Sequence, residues 1–265
     1  VIRESFRTGG RMRGEGTARA ETRDGGAVEG GGPPPPGLPG EAPDPRLLQV
    51  RRPGNVRYLE GLELQEALVT RRRRDEIPDQ LLLLEHPHVI TLGSSSHPEH
   101  VLAGGERLRE MGVEVHRTGR GGDVTYHGPG QLVGYPILDL KPDRKDLHRY
   151  LRDLEEVLIR SLGSYGIEGR RAEGMTGVWT DEGKVAAIGV RISSGWITSH
   201  GFALNVNTDL SFFGTIVPCG IQGRAVTSME RLLGGPVDVT GVMDRVAQEF
   251  EVVFGRRAEE ARGLP

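Results

Sequence analysis

The sequence predicts an α+β fold with a largely antiparallel sheet. Three observations carry this expectation. Short apolar runs recur at hairpin distance over residues 81–84, 89–92, 113–116, 124–126 and 132–138. Two further runs, 177–180 and 184–192, flank Asp181-Glu182-Gly183, which reads as a hairpin turn. Between them lies a strong helical period, with Leu147, Tyr150, Leu151, Leu154, Leu158 and Leu162 at i, i+3, i+4, i+7 spacing.

The remaining elements follow in chain order. Residues 1–45 hold six Arg and seven acids, few large apolar residues, no periodicity and the run GGGPPPP. Such a segment buries too little apolar surface to offset its ordering entropy, and a disordered tail is expected. Its acids argue against an organelle transit peptide. The globular pattern starts near Leu47. A helix is expected over 58–74, with Tyr58, Leu62, Leu68 and Val69 near one face. It ends in Arg71-Arg72-Arg73-Arg74, either a solvated last turn favoured by the helix dipole or a docking patch for an acidic partner. After the 184–192 run comes an extended stretch over 196–206. Thr227-Ser228-Met229-Glu230 has capping-box spacing before a short helix, and Thr240 is a plausible cap for a last helix carrying Val242, Val246, Phe250 and Val253. The expected organisation is a tail over 1–45, a globular domain over 46–256 and a flexible C-terminus over 257–265.

Composition excludes several function classes. Thirty-four Lys and Arg face 37 Asp and Glu, so no bulk basicity supports a dedicated nucleic-acid binder. One cysteine excludes an intramolecular disulfide and a Cys-rich zinc site. No apolar run approaches the ~20 residues of a membrane span and no secretory h-region is visible, so a cytoplasmic protein is expected, with no membrane or nucleic-acid partner. Forty glycines against 5% aromatics imply many turns and many close backbone approaches.

The densest chemical signal is Arg120-Gly121-Gly122-Asp123-Val124-Thr125-Tyr126-His127-Gly128-Pro129-Gly130-Gln131. Donor and charged side chains among glycines suit a loop, strand and turn that bring backbone against a ligand. The segment fits neither a dinucleotide fingerprint nor a phosphate loop, and an ordinary glycine-rich hairpin is the plain alternative. Cys219 lies between Pro218 and Gly220, off any periodic face. A buried small hydrophobe is the common role of a lone cysteine, whereas an exposed turn suits a nucleophile. A thiol nucleophile needs a lowered pKa or a neighbouring base, for which Lys184, His127 and His200 are candidates. Lys184 opens the apolar 185–190 run, as a desolvated amine or as a solubility lysine on an edge strand. His86-Pro87-His88 and His97-x-x-His100 have ligand-like pairing, but Pro87 breaks any helix and the second pair lies in a Ser-rich loop, so no metal is expected.

Taken together, EHPHVITLG (85–93), RGGDVTYHGPGQLVGYPILDL (120–140), GVWTDEGKVAAIGVRI (177–192), SHGFALNVNTDL (199–210) and IVPCGI (216–221) resemble the octanoyltransferases of lipoate biosynthesis, the lipoyl(octanoyl) transferase family. The resemblance runs in order from about Leu47 to Gly255 and leaves the first 45 residues without a counterpart. It implies the fold of biotin and lipoate protein ligases, a mixed sheet flanked by helices with a tunnel for an acyl chain. It implies Cys219 as acyl-thioester nucleophile and Lys184 as its partner. It implies an acyl site walled by Arg120, Gly121, Gly122, Asp123, Val124, Thr125, Tyr126 and His127, by Ala187, Ile188 and Gly189, and by His200, Gly201 and Phe202. The implied donor is octanoyl-acyl carrier protein. The implied acceptors are lipoyl domains of 2-oxoacid dehydrogenase complexes and the glycine-cleavage H protein. No metal, ATP or other cofactor is implied, because a thioester is already activated. An ATP-dependent lipoate or biotin ligase of the same fold is the rival reading, and a catalytically inactive binding protein is another. Cys219 and Lys184 together favour the transferase.

Overall fold

The computed structural model describes residues 44–217 and 225–261. The tail reading, save its last two residues, and Cys219 lie outside the described residues. In chain order the elements are β1 (Leu47–Asn55), α1 (Tyr58–Arg73), β2 (Asp79–Glu85), β3 (Val89–Leu92), α2 (Gly105–Glu110), β4 (Glu114–Arg117), β5 (Val124–His127), β6 (Gln131–Ile137), α3 (Leu147–Gly163), β7 (Arg170–Ala172), β8 (Met175–Thr180), β9 (Gly183–Ile192), β10 (Thr198–Asn205), α4 (Met229–Leu233), α5 (Val239–Phe254) and β11 (Arg257–Glu260). Eight strands form one sheet in the order β11-β1-β2-β6-β10-β9-β8-β7, and three form a second in the order β4-β3-β5. The β11–β1, β1–β2 and β3–β4 pairs are parallel and the other pairs antiparallel. The sheet is thus largely antiparallel, as the sequence predicts.

The four-leucine run of β2 is apolar throughout because both faces of the large sheet are covered. Leu81 and Leu83 join Leu132, Phe202 and Leu204 beneath α3 and α5, with Leu154, Leu158, Val246 and Phe250. Leu82 and Leu84 point the other way, with Val133, Tyr135 and Ala203, and meet Leu68 of α1. The small sheet has its own core, in which Ile90, Val124 and Tyr126 pack on Leu108 of α2 and on Phe213 and Ile216.

The helix caps correct two expectations. Ser228 rather than Thr227 caps α4, its side chain accepting from Arg231 N. Asp238 caps α5 by accepting from the backbone of Thr240 and Gly241. Thr240 therefore sits in the first turn, because a carboxylate two residues earlier satisfies the exposed N–H groups better than a hydroxyl. The flexible C-terminus from residue 257 is corrected as well. β11 adds to the sheet edge by parallel pairing of Arg257–Glu260 with Leu47–Val50, a long-range partner that no local pattern announces. Among the described residues no helix is long and apolar enough to cross a membrane.

The buried stripe of α1 comprises Tyr58, Gly61, Gln65, Leu68 and Arg72. Leu62 and Val69, expected near its centre, are only half-buried. Arg72 departs from the solvated reading, which holds for the exposed Arg73 and Arg74. Its Nε donates to Asp79 Oδ1 at 2.8 Å and its Nη1 to Asp75 at 2.6 Å. Asp79 is 2% exposed and also accepts from Arg256 Nε at 3.0 Å and from the backbone N–H of Asp139 at 2.9 Å. One carboxylate thus joins α1, the start of β2, the end of β6 and the approach to β11. Removing one partner of a buried, fully hydrogen-bonded ion cluster strands the others. Asp79→Asn should therefore lower unfolding free energy by about 3 kcal/mol in urea denaturation, whereas Arg74→Gln at the exposed end of the helix should change it by less than about 0.5 kcal/mol.

Candidate active site

A cavity of about 780 Å³ opens where β9 runs on past its pairing with β8. β8 pairs with β9 only up to Ala186, so the outer edge of the 187–192 stretch is left to another partner. The glycine-rich segment fills part of that edge, with Gly121 N–H donating to Val190 O at 2.9 Å.

Contact this close needs glycine. A Cβ on Gly189 would lie 2.9 Å from Gly121 O, and one on Gly93 would lie 2.2 Å from Gly122 O. Arg120 locks the segment in place. Its Nη2 donates to Thr91 O at 2.7 Å and to Thr91 Oγ1 at 2.9 Å, and its Nη1 to Gly121 O at 3.0 Å. Arg120, only 8% exposed, is thus a wall of the cavity and the strut that binds the small sheet to it.

Gly121, Gly122, Asp123, Val124, Thr125 and His127 line the cavity, as do Ala187, Ile188 and Gly189 and His200, Gly201 and Phe202. Tyr126 does not. Its ring packs into the core of the small sheet, where its hydroxyl bonds His88 Nδ1 at 2.8 Å and its face stacks on Phe212 at 5.0 Å. The registers Gly189–Gly201 and Ala187–Ala203 set small residues opposite each other across β9 and β10. With no side chain beyond a methyl at these four positions, they make a smooth, narrow apolar floor.

The histidines around this floor are held neutral. His127 Nδ1 donates to Gln131 Oε1 at 2.7 Å, because the Gln131 amide nitrogen is already donating to Asn205 Oδ1 at 2.9 Å. Burial beside His86 pushes the His127 pKa down to about 3. His200 is lowered to about 4 by burial and by the nearby guanidinium groups of Arg120 and Arg191. His86 is also lowered by burial; it donates from Nδ1 to Val56 O at 2.6 Å and so accepts at Nε2 from the Tyr135 hydroxyl at 2.7 Å. His200 adopts φ +56°, a left-handed conformation uncommon for a non-glycine residue, and Gln65 Oε1 holds its N–H at 2.7 Å.

Lys184 lies on the same cavity. It is not on an edge strand, since β9 is flanked by β10 and β8. Its backbone donates to Ala225 O and accepts from Thr227 N–H, both at 3.0 Å. Its Nζ lies 5.3 Å from the Trp179 ring centroid, a cation–π contact. Gly177, at φ +123°, gives the lysine stem its room, because a Cβ there would lie 2.6 Å from Lys184 Cε. Cys219 is outside the described residues. Among the described residues no group of three or more His, Cys, Asp or Glu could hold a metal ion. His86 and His88 bond different tyrosines, Tyr135 and Tyr126, and His100 is bonded to Asp123.

Sequence reasoning missed Tyr58, Gln65, Thr91, Tyr135 and Trp179. The one available signal was Gln65, a polar residue in the otherwise largely apolar stripe of α1.

The pattern of a lipoyl protein ligase A/B catalytic domain matches residues 57–251. The octanoyltransferase of Rubrobacter xylanophilus is 57% identical over 210 residues, 78% of this chain and 94% of that protein. The octanoyltransferase of Solibacter usitatus is 52% identical over 207 residues, 78% of this chain and 91% of its own. Among solved structures, a lipoate-protein ligase A bound with ATP superposes with a TM-score of 0.66 at 18% identity, covering 82% of this chain and 87% of that one. A bipartite lipoate protein ligase from Thermoplasma acidophilum gives 0.63 at 18% identity, covering 82% and 86%. At that identity the structures show a shared fold, while the sequence relatives show the branch. This chain belongs to the lipoyl protein ligase A/B catalytic-domain family and, within it, to the octanoyltransferases, which are acyltransferases.

Proposed function

We propose that this enzyme transfers an octanoyl group from octanoyl-acyl carrier protein to a lysine of a lipoyl domain, through a thioester on Cys219. The observation that carries the reading is the floor of Ala187, Gly189, Gly201 and Ala203, an apolar channel in the same cavity as the amine of Lys184. An unbranched acyl chain needs such a slot, and its reacting carbonyl needs a titratable group nearby.

The reaction divides into two half-reactions. In the first, the Cys219 thiol gives its proton to Lys184 and attacks the donor thioester, and the carrier leaves as a thiol. Thioester exchange is nearly isoenergetic, so alignment and thiolate formation decide its rate. In the second, the acceptor lysine attacks the Cys219 thioester and the carbon–sulfur bond breaks as the amide forms. Acceptors are the lipoyl domains of 2-oxoacid dehydrogenase complexes and the glycine-cleavage H protein. The activated thioester supplies the driving force. The ATP-dependent ligase reading has less support, because such activation needs no cysteine at position 219. A nucleophilic thiol must stay reduced, which agrees with a cytoplasmic setting. The catalytic unit in this reading spans 46–256 with β11 added at the sheet edge.

Incubation with octanoyl-acyl carrier protein should add one octanoyl mass to the intact protein, and hydroxylamine should release it. Cys219→Ala should abolish both adduct and transfer, and wild-type transfer by that variant would refute the covalent route. Lys184→Arg should fail nearly as badly as Lys184→Ala, because guanidinium keeps the charge but does not release a proton near neutral pH. Substantial activity of the Arg variant across a pH–rate profile would show that charge alone suffices. Ala187→Leu should cut kcat/KM for octanoyl donors by about 10-fold or more while sparing butanoyl donors, as the added side chain fills the channel.

A further inference from the structure

Lys184 has been given a part toward the thiol of the first half-reaction, yet the second half-reaction has a further requirement. The acceptor amine arrives protonated, with an ordinary lysine pKa near ~10.4, and must lose a proton before it can attack. His127 and His200 are poor receivers, since burial lowers them to about 3 and about 4. A different histidine on the cavity is bonded to a carboxylate. His100 Nδ1 lies 2.6 Å from Asp123 Oδ2, and both residues line the cavity. Asp123 Oδ1 is buried and has no hydrogen-bond partner, so the carboxylate's one side-chain bond is to this imidazole. An ionised carboxylate only accepts, which fixes the proton on Nδ1 and leaves Nε2 as the acceptor. Among the described residues nothing bonds that Nε2. The His100 ring is 22% exposed, open enough for an incoming amine to reach. The backbone around it is firm: His100 O accepts from Val217 N–H at 2.8 Å, and Leu102 and Ala103 both donate to Thr215 O. The other charged or titratable groups around it are His97, with its ring centroid 5.2 Å away, Glu99 beside His97, and Arg120 and Lys184, which line the same cavity.

We propose that His100, oriented by Asp123, takes the proton from the acceptor lysine in the second half-reaction, a part distinct from that of Lys184 toward the thiol. The proposal rests on the covalent two-step reading above. The balance is simple. The acceptor ammonium gives one proton to His100 Nε2, the free amine forms the C–N bond, and the C–S bond breaks. The second amine proton goes to the departing sulfur, and His100 returns its proton to solvent. Asp123 acts through His100 and is a positioning residue.

The two halves can be timed separately by intact mass. Full-length enzyme is first loaded with octanoyl-acyl carrier protein, then the isolated octanoyl-enzyme is mixed with a lipoyl domain lacking its modification. His100→Gln should load at a rate within about threefold of wild type but transfer about 100-fold more slowly at pH 7. That deficit should shrink as pH rises toward 9, where free amine becomes abundant without a base. Asp123→Asn should load normally and transfer at a rate between wild type and His100→Gln, because the imidazole keeps its place but loses the carboxylate that orients it. Equal losses in both halves, no loss in transfer, or a deficit independent of pH would overturn the assignment. Failure of the wild-type enzyme to load would instead overturn the covalent reading itself.

Discussion

The contact between two backbones, Gly121 on the glycine-rich segment and the outer edge of β9, sets the rest of the site. It consists of one hydrogen bond, Gly121 N–H to Val190 O at 2.9 Å, and a bare approach at Gly189. Through it the three-stranded sheet is docked onto the eight-stranded one, and the gap left where β8 turns away becomes a cavity rather than an open cleft. Any side chain at Gly189 would meet Gly121 O, and any at Gly93 would meet Gly122 O, so the two sheets would separate. Arg120 reinforces the joint from inside by gripping Thr91 on β3. The same glycines that close the joint leave the channel floor smooth, so assembly of the fold and room for an apolar chain have one steric cause.

Charge is distributed with a similar separation of duties. The Arg72–Asp79–Arg256 cluster sits at the far end of β2 and ties elements that are distant in sequence. Around the cavity, by contrast, a chain of neutral donors and acceptors runs from Thr91 through His127 and Gln131 to Asn205, whose amide donates to Thr227 O at 3.0 Å. Thr227 N–H in turn donates to Lys184 O. Neutral imidazoles suit an apolar substrate, since a buried charge beside an alkyl chain would have to be hydrated or paired. Lys184, over the Trp179 ring, and His100, bonded to Asp123, lie on the same cavity.

Much of this was legible in local patterns. The period of α3, the hairpin between β8 and β9 and the leucine run of β2 are each readable because neighbours in sequence share one face or one turn. The glycine-rich block and Lys184 were legible as candidates because their residue types are unusual in their settings, whereas the 187–189 and 200–202 segments were implied as walls only by the family resemblance. Tyr126 was misassigned because a block quoted as a motif does not reveal that its ring packs away from the cavity, against His88 and Phe212. Arg72 was misassigned because four consecutive arginines look alike until the helix phase and Asp79 decide which one turns inward.

The sequence by itself determined the fold class, the order of most elements and the inventory of reactive side chains, since these depend on periodicity, turn chemistry and composition. The tertiary structure decided which of those side chains share a cavity. β1 and β11 pair across nearly the whole chain, Gln65 reaches His200 from another element, and Asp123 meets His100 from the other end of the small sheet's β3–β5 connection. Such contacts are fixed by long-range packing, which no window of sequence contains, and for that reason the histidines could be listed from the sequence but only the fold could sort the buried neutral ones from the one beside a carboxylate.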